Sequence, residues 1–457
     1  MASTYQCTGL IDLPDELLLH IAGYLHIIRT FQTQAEAFKS KELERTRQRE
    51  NHLRQKTLYA LCLSSRRLRS VAEPVLYSAL LSLGTRNGKE KTALFYRTIF
   101  QTPALARHIQ YVENRFDDHL GNTLADAFED EDAVEAVQNY FDNLASIILN
   151  APNIQHLSLV SLETNEISIW RHFRYMPHAR VLAHGFSKLQ IMCIQIQTSN
   201  TGFEDDFACF RYIAHGLATV PALHTLKVSG VVTSRASQET TTLPGKFEFL
   251  ETVEISDCML DFDEVIQFTS GCKELKYFKC HWAYINAGDF PPSYLCRGLL
   301  PHKHNLESLH LDMRDAGHRT GHSAVESLGC LREFTSLRSI TMCGAALFAA
   351  TLSQLVLQSS PLLRQLAELL PSSIENLTLL LKINKHDMEV FSVHLGVWLV
   401  KFTEDCAAKL PNLKNLSIMT TPVAPFSAPP VLTMLFKDVG INLRFSHVGS
   451  TDDAERL

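Results

Sequence analysis

One hydrophobic pattern returns nine times between Ile154 and Ile418: apolar-x-x-apolar-x-apolar. The copies begin at Ile154, Leu189, Leu223, Leu250, Leu275, Leu306, Leu337, Ile374 and Leu413, roughly 25 to 39 residues apart. The last two apolar positions of each copy lie two apart, so in a strand they point the same way. One such strand cannot bury its apolar face alone, whereas stacked neighbours can. Stretches with a helical period fall between the copies, most clearly at 205–218, 263–270, 346–358 and 386–408. Strand and helix alternating at a recurrent spacing predict an α/β chain with a parallel concave sheet and convex helices.

Strand alternation also predicts which residues leave the core. They run from His156, Ser158 and Cys193 through Thr225, Lys227, Thr252 and Glu254 to Asn376, Thr378, Asn415 and Ser417. The middle of the series carries Tyr277, Lys279, His281, Trp282, His310 and Asp312. Aromatic and charged side chains gathered on one face suit recognition of a protein surface. Tyr277, Lys279, His281, His310 and Asp312 are therefore the candidate target-binding residues.

The N-terminal stretch follows a different pattern. Pro14 stands where a helix begins, followed by Asp15 and Glu16 at the positive end of its dipole. Leu17, Ile21 and Leu25 are spaced i, i+4, i+8 and predict one apolar stripe, with Leu18 and Ala22 beside it. Residues 29–56 are rich in both charges and poor in apolar side chains, which predicts a solvated helix or a mobile insertion. Apolar spacing resumes at Leu58, Leu61 and Cys62. Ser64 or Ser65 offers a cap for a helix carrying Leu68, Val71 and Ala72, which Pro74 should end. Residues 83–145 read as a helical and acidic connector, with a carboxylate run from Asp117 to Glu135.

Composition narrows the function classes. A formal charge of −6 gives no global attraction to nucleic acid. No apolar run reaches the length of a membrane span. Eleven scattered cysteines without a secretory leader predict reduced thiols in the cytoplasm or nucleus. No phosphate-binding glycine loop, Gly-x-Ser-x-Gly elbow or Cys-x-x-Cys pair is present. His302 with His304, and His318 with His322, stand among Gly and Pro residues that argue for loops, so no metal or other cofactor is expected.

The segments Leu13-Pro14-x-Glu16-Leu17, Ser65-Arg66-Arg67-Leu68 and Pro74-x-Leu76-Tyr77, in that order, resemble an F-box. The nine downstream motifs resemble irregular leucine-rich repeats. The resemblance implies a three-helix F-box at 10–82 carrying the charged insertion, a connector at 83–145, a leucine-rich-repeat solenoid at 146–445 and a tail at 446–457. It also implies docking on a Skp-type adaptor, and through it a cullin, by Leu13, Pro14, Leu17, Ile21, Leu25, Leu61 and Leu68. The chain would then be a non-catalytic substrate receptor of an SCF-type ubiquitin ligase, holding a target protein on its repeats. The alternative is a repeat scaffold without a ubiquitin role, whose N-terminal helices cap the array. The two differ in whether the Leu17–Ile21–Leu25 stripe is buried by another chain or by this one.

Overall fold

The computed structural model describes residues 9–10, 13–31, 41–83, 86–115, 131–161, 186–196, 210–218, 220–233, 246–284, 292–314, 328–348, 366–382, 388–420 and 430–447. The fold is α/β, and every strand pairing described is parallel. The chain forms two compact units: Met1–Gln197 with Thr219–Leu223, and Thr198–Ala218 with His224–Leu457.

The first unit opens with three helices, α1 (Asp15–Gly23), α2 (Lys41–Ser64) and α3 (Arg66–Leu76). Strand β1 (Ala79–Leu83), helix α4 (Arg86–Gln101), strand β2 (Tyr111–Arg115), helix α5 (Glu131–Asn150) and strands β3 (His156–Ser161) and β4 (Ile191–Ile196) follow. The strands pair in chain order, with Ala79 opposite Tyr111, Tyr111 opposite His156 and His156 opposite Ile191. Strands β1 and β2 lack the six-residue pattern, so the sheet begins inside the region that spacing marked as module and connector. A buried polar cluster ties α4 and α5 to these strands. Ser82 Oγ lies 2.7 Å from Thr92 Oγ1 and 2.5 Å from the Tyr140 hydroxyl, which donates to Asn114 Oδ1. Of the acidic run, residues 117–130 lie outside the described residues.

From residue 41 the charged stretch is not a mobile insertion but a helix, the other of its two readings. Residues 41–56 are the first part of α2, which runs unbroken to Ser64. Pro74 does not end α3 either. It lies in the last turn, and Tyr77 N–H still reaches Glu73 O at 3.0 Å. Ser65 is the cap, accepting from Leu68 N–H at 3.1 Å. The α3 residues Leu68, Val71, Ala72 and Val75 recur at helical spacing and pack with Leu18, Ala22 and Leu58 into one apolar cluster.

The second unit carries strands β5 (Thr225–Ser229), β6 (Thr252–Cys258), β7 (Tyr277–Trp282), β8 (Ser308–Asp312), β9 (Ser339–Cys343), β10 (Asn376–Leu381), β11 (Asn415–Thr420) and β12 (Asn442–His447). Helices α6 (Phe210–Leu217), α7 (Phe262–Gly271), α8 (Met388–Lys409) and α9 (Pro430–Asp438), with shorter helical turns, make the other layer. Leu226, Val228, Val253, Ile255, Phe278, Cys280, Leu309 and Leu311 are the motif's last two apolar residues in successive strands, and all are buried. At Gly298 a Cβ would stand 2.3 Å from Thr269 Oγ1 and 2.9 Å from Ile266 Cα, so glycine lets the 296–299 turn approach α7. His302 fixes the same junction by donating from Nε2 to Thr269 O at 2.8 Å.

The residue just before each of β6 to β11 is charged, and the sign alternates: Glu251, Lys276, Glu307, Arg338, Glu375, Lys414. Lys276 meets Glu251 at 2.7 Å and Lys414 meets Glu375 at 2.7 Å. Like charges would repel between neighbouring strands, so this alternation agrees with the observed strand order.

Candidate functional site

The seven residues of the proposed adaptor surface do not share one environment. Pro14, Leu17 and Ile21 are exposed, Leu17 by 49% and Ile21 by 37%. Leu13, Leu25 and Leu61 are half-buried against the apolar cluster. Leu68 is inside it, at 6% exposure, which corrects its expected role as a surface contact. The physical reason is register: Leu68 lies on the α3 face shared by Val71, Ala72 and Val75. The inward stripe of α1 is Leu18 and Ala22, continued by the partly buried Leu25. Leu17 and Ile21 lie on the neighbouring, outward face, where Tyr24 is 68% exposed. Arg67 sets the entry of α1 from α3, donating to Asp15 Oδ1 at 2.8 Å and to Leu13 O at 2.7 Å.

Four of the five candidate target-binding residues come together on β7 and β8. Lys279 stands opposite His310, and His281 opposite Asp312. The fifth, Tyr277, lies opposite Ser308 at the strand start. It is 44% exposed and donates its hydroxyl to Glu307 at 3.1 Å. That bond, then burial, pushes its phenol upward. Trp282 does not belong to this face. Alternation places it inward with Phe278 and Cys280, fully buried, its indole donating to Leu260 O at 3.1 Å.

The charges on this face form a chain across strands. Glu254 on β6 holds Lys227 at 2.5 Å and Lys279 at 3.1 Å. Burial raises the Glu254 carboxyl, but the two lysines outweigh it and the net shift is downward. His310 sits beyond Lys279 and is pushed down to about 4 by burial first and then by the Lys279 charge, against a pull from Asp312. It is neutral at pH 7 and offers hydrogen bonds rather than charge. Asp312 is only 4% exposed, which corrects its expected role as a surface contact; it is gripped by Arg314, whose Nε and Nη2 lie 3.0 and 2.8 Å from its two oxygens. Burial raises Asp312, yet the Arg314 bonds bring it below the ordinary value. A register shift in β6 after Ile255 accompanies a left-handed backbone at Asp257, φ 48°, and its carboxylate lies 3.1 Å from His281 Nδ1.

Arg314 and Asp257 were not among the candidate residues. Arg314 lies past the strand end, and Asp257 reaches His281 only through the irregularity in β6. Neither position follows from strand alternation. Glu254 and Lys227 were legible as facing residues but not as the partners that hold Lys279 in place. The face continues with Asn376, Asn415 and Asn442 in one row, Asn415 Nδ2 donating to Asn376 Oδ1 at 2.8 Å.

The corresponding face of the first unit is closed. His156, Ser158 and Cys193, expected to face outward, are 0%, 1% and 2% exposed. Residues 26–31 and the N-terminal half of α2 cover it. Phe31 stacks on His156 with ring centroids 5.1 Å apart, and Thr30 N–H reaches the Tyr111 hydroxyl at 3.2 Å. Arg47 of α2 meets Glu113 at 2.6 Å and Glu44 at 2.7 Å, and Arg115 meets Glu113 at 2.6 Å. Burial raises the Glu44 carboxyl, but its Arg47 bond and the Arg115 charge bring it down to about 2.

Among the described residues no group of three or more His, Cys, Asp or Glu could hold a metal ion. His302 is buried on Thr269 O, His304 is exposed beside Thr335, and His318 and His322 lie outside the described residues. Among the described cysteines Cys62, Cys193, Cys258, Cys272, Cys280, Cys343 and Cys406 are free thiols. Cys296 is disulfide-bonded, which departs from the expectation of reduced thiols throughout. No described helix is long and apolar enough to cross a membrane. No protein-family model matches the chain, and no curated protein matches it.

Proposed function

We propose that the chain is a non-catalytic substrate receptor of an SCF-type ubiquitin ligase, with α1–α3 acting as an F-box and the strands as an irregular leucine-rich-repeat solenoid. The observation that carries this is the division of labour within α1. Its Leu18 and Ala22 complete the helical core, while Leu17 and Ile21 are left in solvent beside Pro14. Exposed leucine and isoleucine on a short helix next to a closed core suit burial by a second protein. In this proposal the partner is a Skp-type adaptor, and through it a cullin. The target protein lies on the face of Tyr277, Lys279, His281 and His310. The chain then supplies proximity, raising the effective concentration of the target at a conjugating enzyme.

The test is co-purification of the adaptor with wild type and with Leu17→Asp plus Ile21→Asp. Because both side chains are exposed, the variant should fold. Losing two buried aliphatic contacts should cost about 3 kcal/mol or more, roughly 100-fold in affinity. Equal capture by both forms, or capture by neither, excludes the ligase role and leaves the alternative of a repeat scaffold without ubiquitin chemistry. The packing of Leu13, Leu25, Leu61 and Leu68 within the chain is the observation that favours that alternative.

A further inference from the structure

The cover over the first unit's face is held in an unusual way. Residues 26–31 run as a segment without regular secondary structure between α1 and α2. Its apolar side chains bury little: Ile27 and Ile28 are only half-buried, and Phe31, though stacked on His156, is 49% exposed. Most of the contacts that hold it are polar bonds. Asn51 of α2 clamps Ile28 at both backbone atoms, accepting from its N–H at 2.8 Å and donating to its carbonyl at 3.1 Å. Arg47 Nη1 donates to the same carbonyl at 2.8 Å, and Arg54 Nη1 to His26 O at 2.6 Å. Thr30 N–H rests on the Tyr111 hydroxyl, which donates to Glu113 Oε2 at 2.7 Å. The Arg29 guanidinium lies 5.6 Å from the Tyr111 ring centre.

The residues beneath are of the kinds that make a recognition face elsewhere in the chain. Tyr111, Glu113, His156 and Cys193 are all nearly or fully buried, and they occupy the outward register of β2, β3 and β4. We infer that residues 26–31 form a strap, clamped between α2 and the strands, that covers part of the first unit's recognition face and can leave it without unfolding α1, α2, α3 or the strands. On the proposed receptor function, which this inference deepens, the target is confined to the second unit while the strap is seated. A segment fixed by side-chain polar bonds with little apolar burial opens at a lower cost than a packed helical core. Its release would uncover Tyr111, His156 and Cys193 as a second, largely aromatic face, with Glu113 still held by Arg115.

Amide hydrogen exchange of the full chain tests this directly. In Asn51→Ala the amides of Ile28 and Thr30 should exchange roughly tenfold faster or more. The amides of α3 and of Leu157 in β3 should keep their wild-type rates. Glu113→Gln, which weakens the Arg47 contact and the Tyr111 relay, should produce the same local pattern. If residues 28–31 and α3 quicken together in both variants, strap and helices are one cooperative unit and the inference is wrong. If neither variant changes exchange at Ile28 and Thr30, these bonds do not hold the strap and the inference is equally wrong. Neither readout involves adaptor or target, so failure of the receptor function alone leaves this result standing.

Discussion

Two faces of this protein use equivalent strand positions and meet opposite fates. In the first unit the outward residues of β2 to β4 are Tyr111, Glu113, His156, Ser158 and Cys193, and the chain's own strap and α2 bury them. In the second unit the outward residues of β6 to β8 include Tyr277, Lys279 and His281, which no described segment covers to that degree. Each unit also pairs its charges. Glu113 holds Arg47 and Arg115 almost out of water, while Glu254 holds Lys227 and Lys279 at the edge of it. Strand alternation therefore says which side chains leave the core, and distant chain decides whether they reach solvent.

Two tyrosines give the sharpest test of that contrast. Tyr111→Ala should destabilise the protein by about 3–5 kcal/mol, because a fully buried ring and its bonds to Thr30 and Glu113 are lost. Tyr277→Ala should cost within about 1 kcal/mol, since its ring is half in solvent. Urea unfolding of the two variants measures both, and equal losses would erase the difference between the faces.

Acid and base should separate the units next. Glu44 in the first unit has a folded value of about 2 against an ordinary 4.5. Its contribution is full above about 4.5 and disappears as pH falls through about 2. Glu264 in α7 has the reverse sign. Burial pushes it up to about 7, in spite of a 2.6 Å bond from Thr233 and the nearby Arg211 charge. The native state therefore binds the extra proton. Its contribution is full below about 4.5 and is lost as pH rises through about 7. Glu264→Gln should flatten the stability profile between those values and leave the acid limb unchanged, read from unfolding midpoints across pH.

The smallest effect belongs to the alternating charges before β6 to β11. Glu375→Lys places a third cation between Arg338 and Lys414. The urea midpoint should move only slightly downward, and salt at about 1 M should erase the shift, because exposed pairs are weak and screened. A large, salt-insensitive loss would mean that these charges are part of the core energetics, as Glu113 is.

Much of the fold was legible because it is local. The nine motifs each became a strand, since residues two apart on a strand must share a face whatever surrounds them. The helical start was visible in the spacing of Leu17, Ile21 and Leu25 and of Leu68, Val71 and Ala72, with Ser64 or Ser65 as a cap, although α1 turned Leu18 and Ala22 inward rather than Leu17 and Ile21. Strands β1, β2 and β12 were not, because Ala79–Leu83, Tyr111–Arg115 and Asn442–His447 lack the full pattern and are fixed by pairing with neighbours. Among the candidate site residues, Lys279, His281, His310 and Asp312 were placed together by register alone. Leu68 and Trp282 were misplaced, because an apolar or aromatic side chain near a surface motif gives no sign of which way its element is turned.

The sequence by itself determined an α/β chain of repeated strands behind a short helical start, because periodicity of two and of 3.6 is a property of the backbone. Only the tertiary structure decided that the charged stretch after Leu25 leads into a helix pinned on Glu113, that Leu17 and Ile21 rather than Leu68 are left in solvent, and that Tyr111 and His156 are covered while Tyr277 reaches solvent. Those outcomes depend on contacts such as Arg47 with Glu113 and Phe31 with His156, between residues far apart in the chain. Such contacts leave no periodic trace in the sequence, since nothing in the local spacing of either partner records the other.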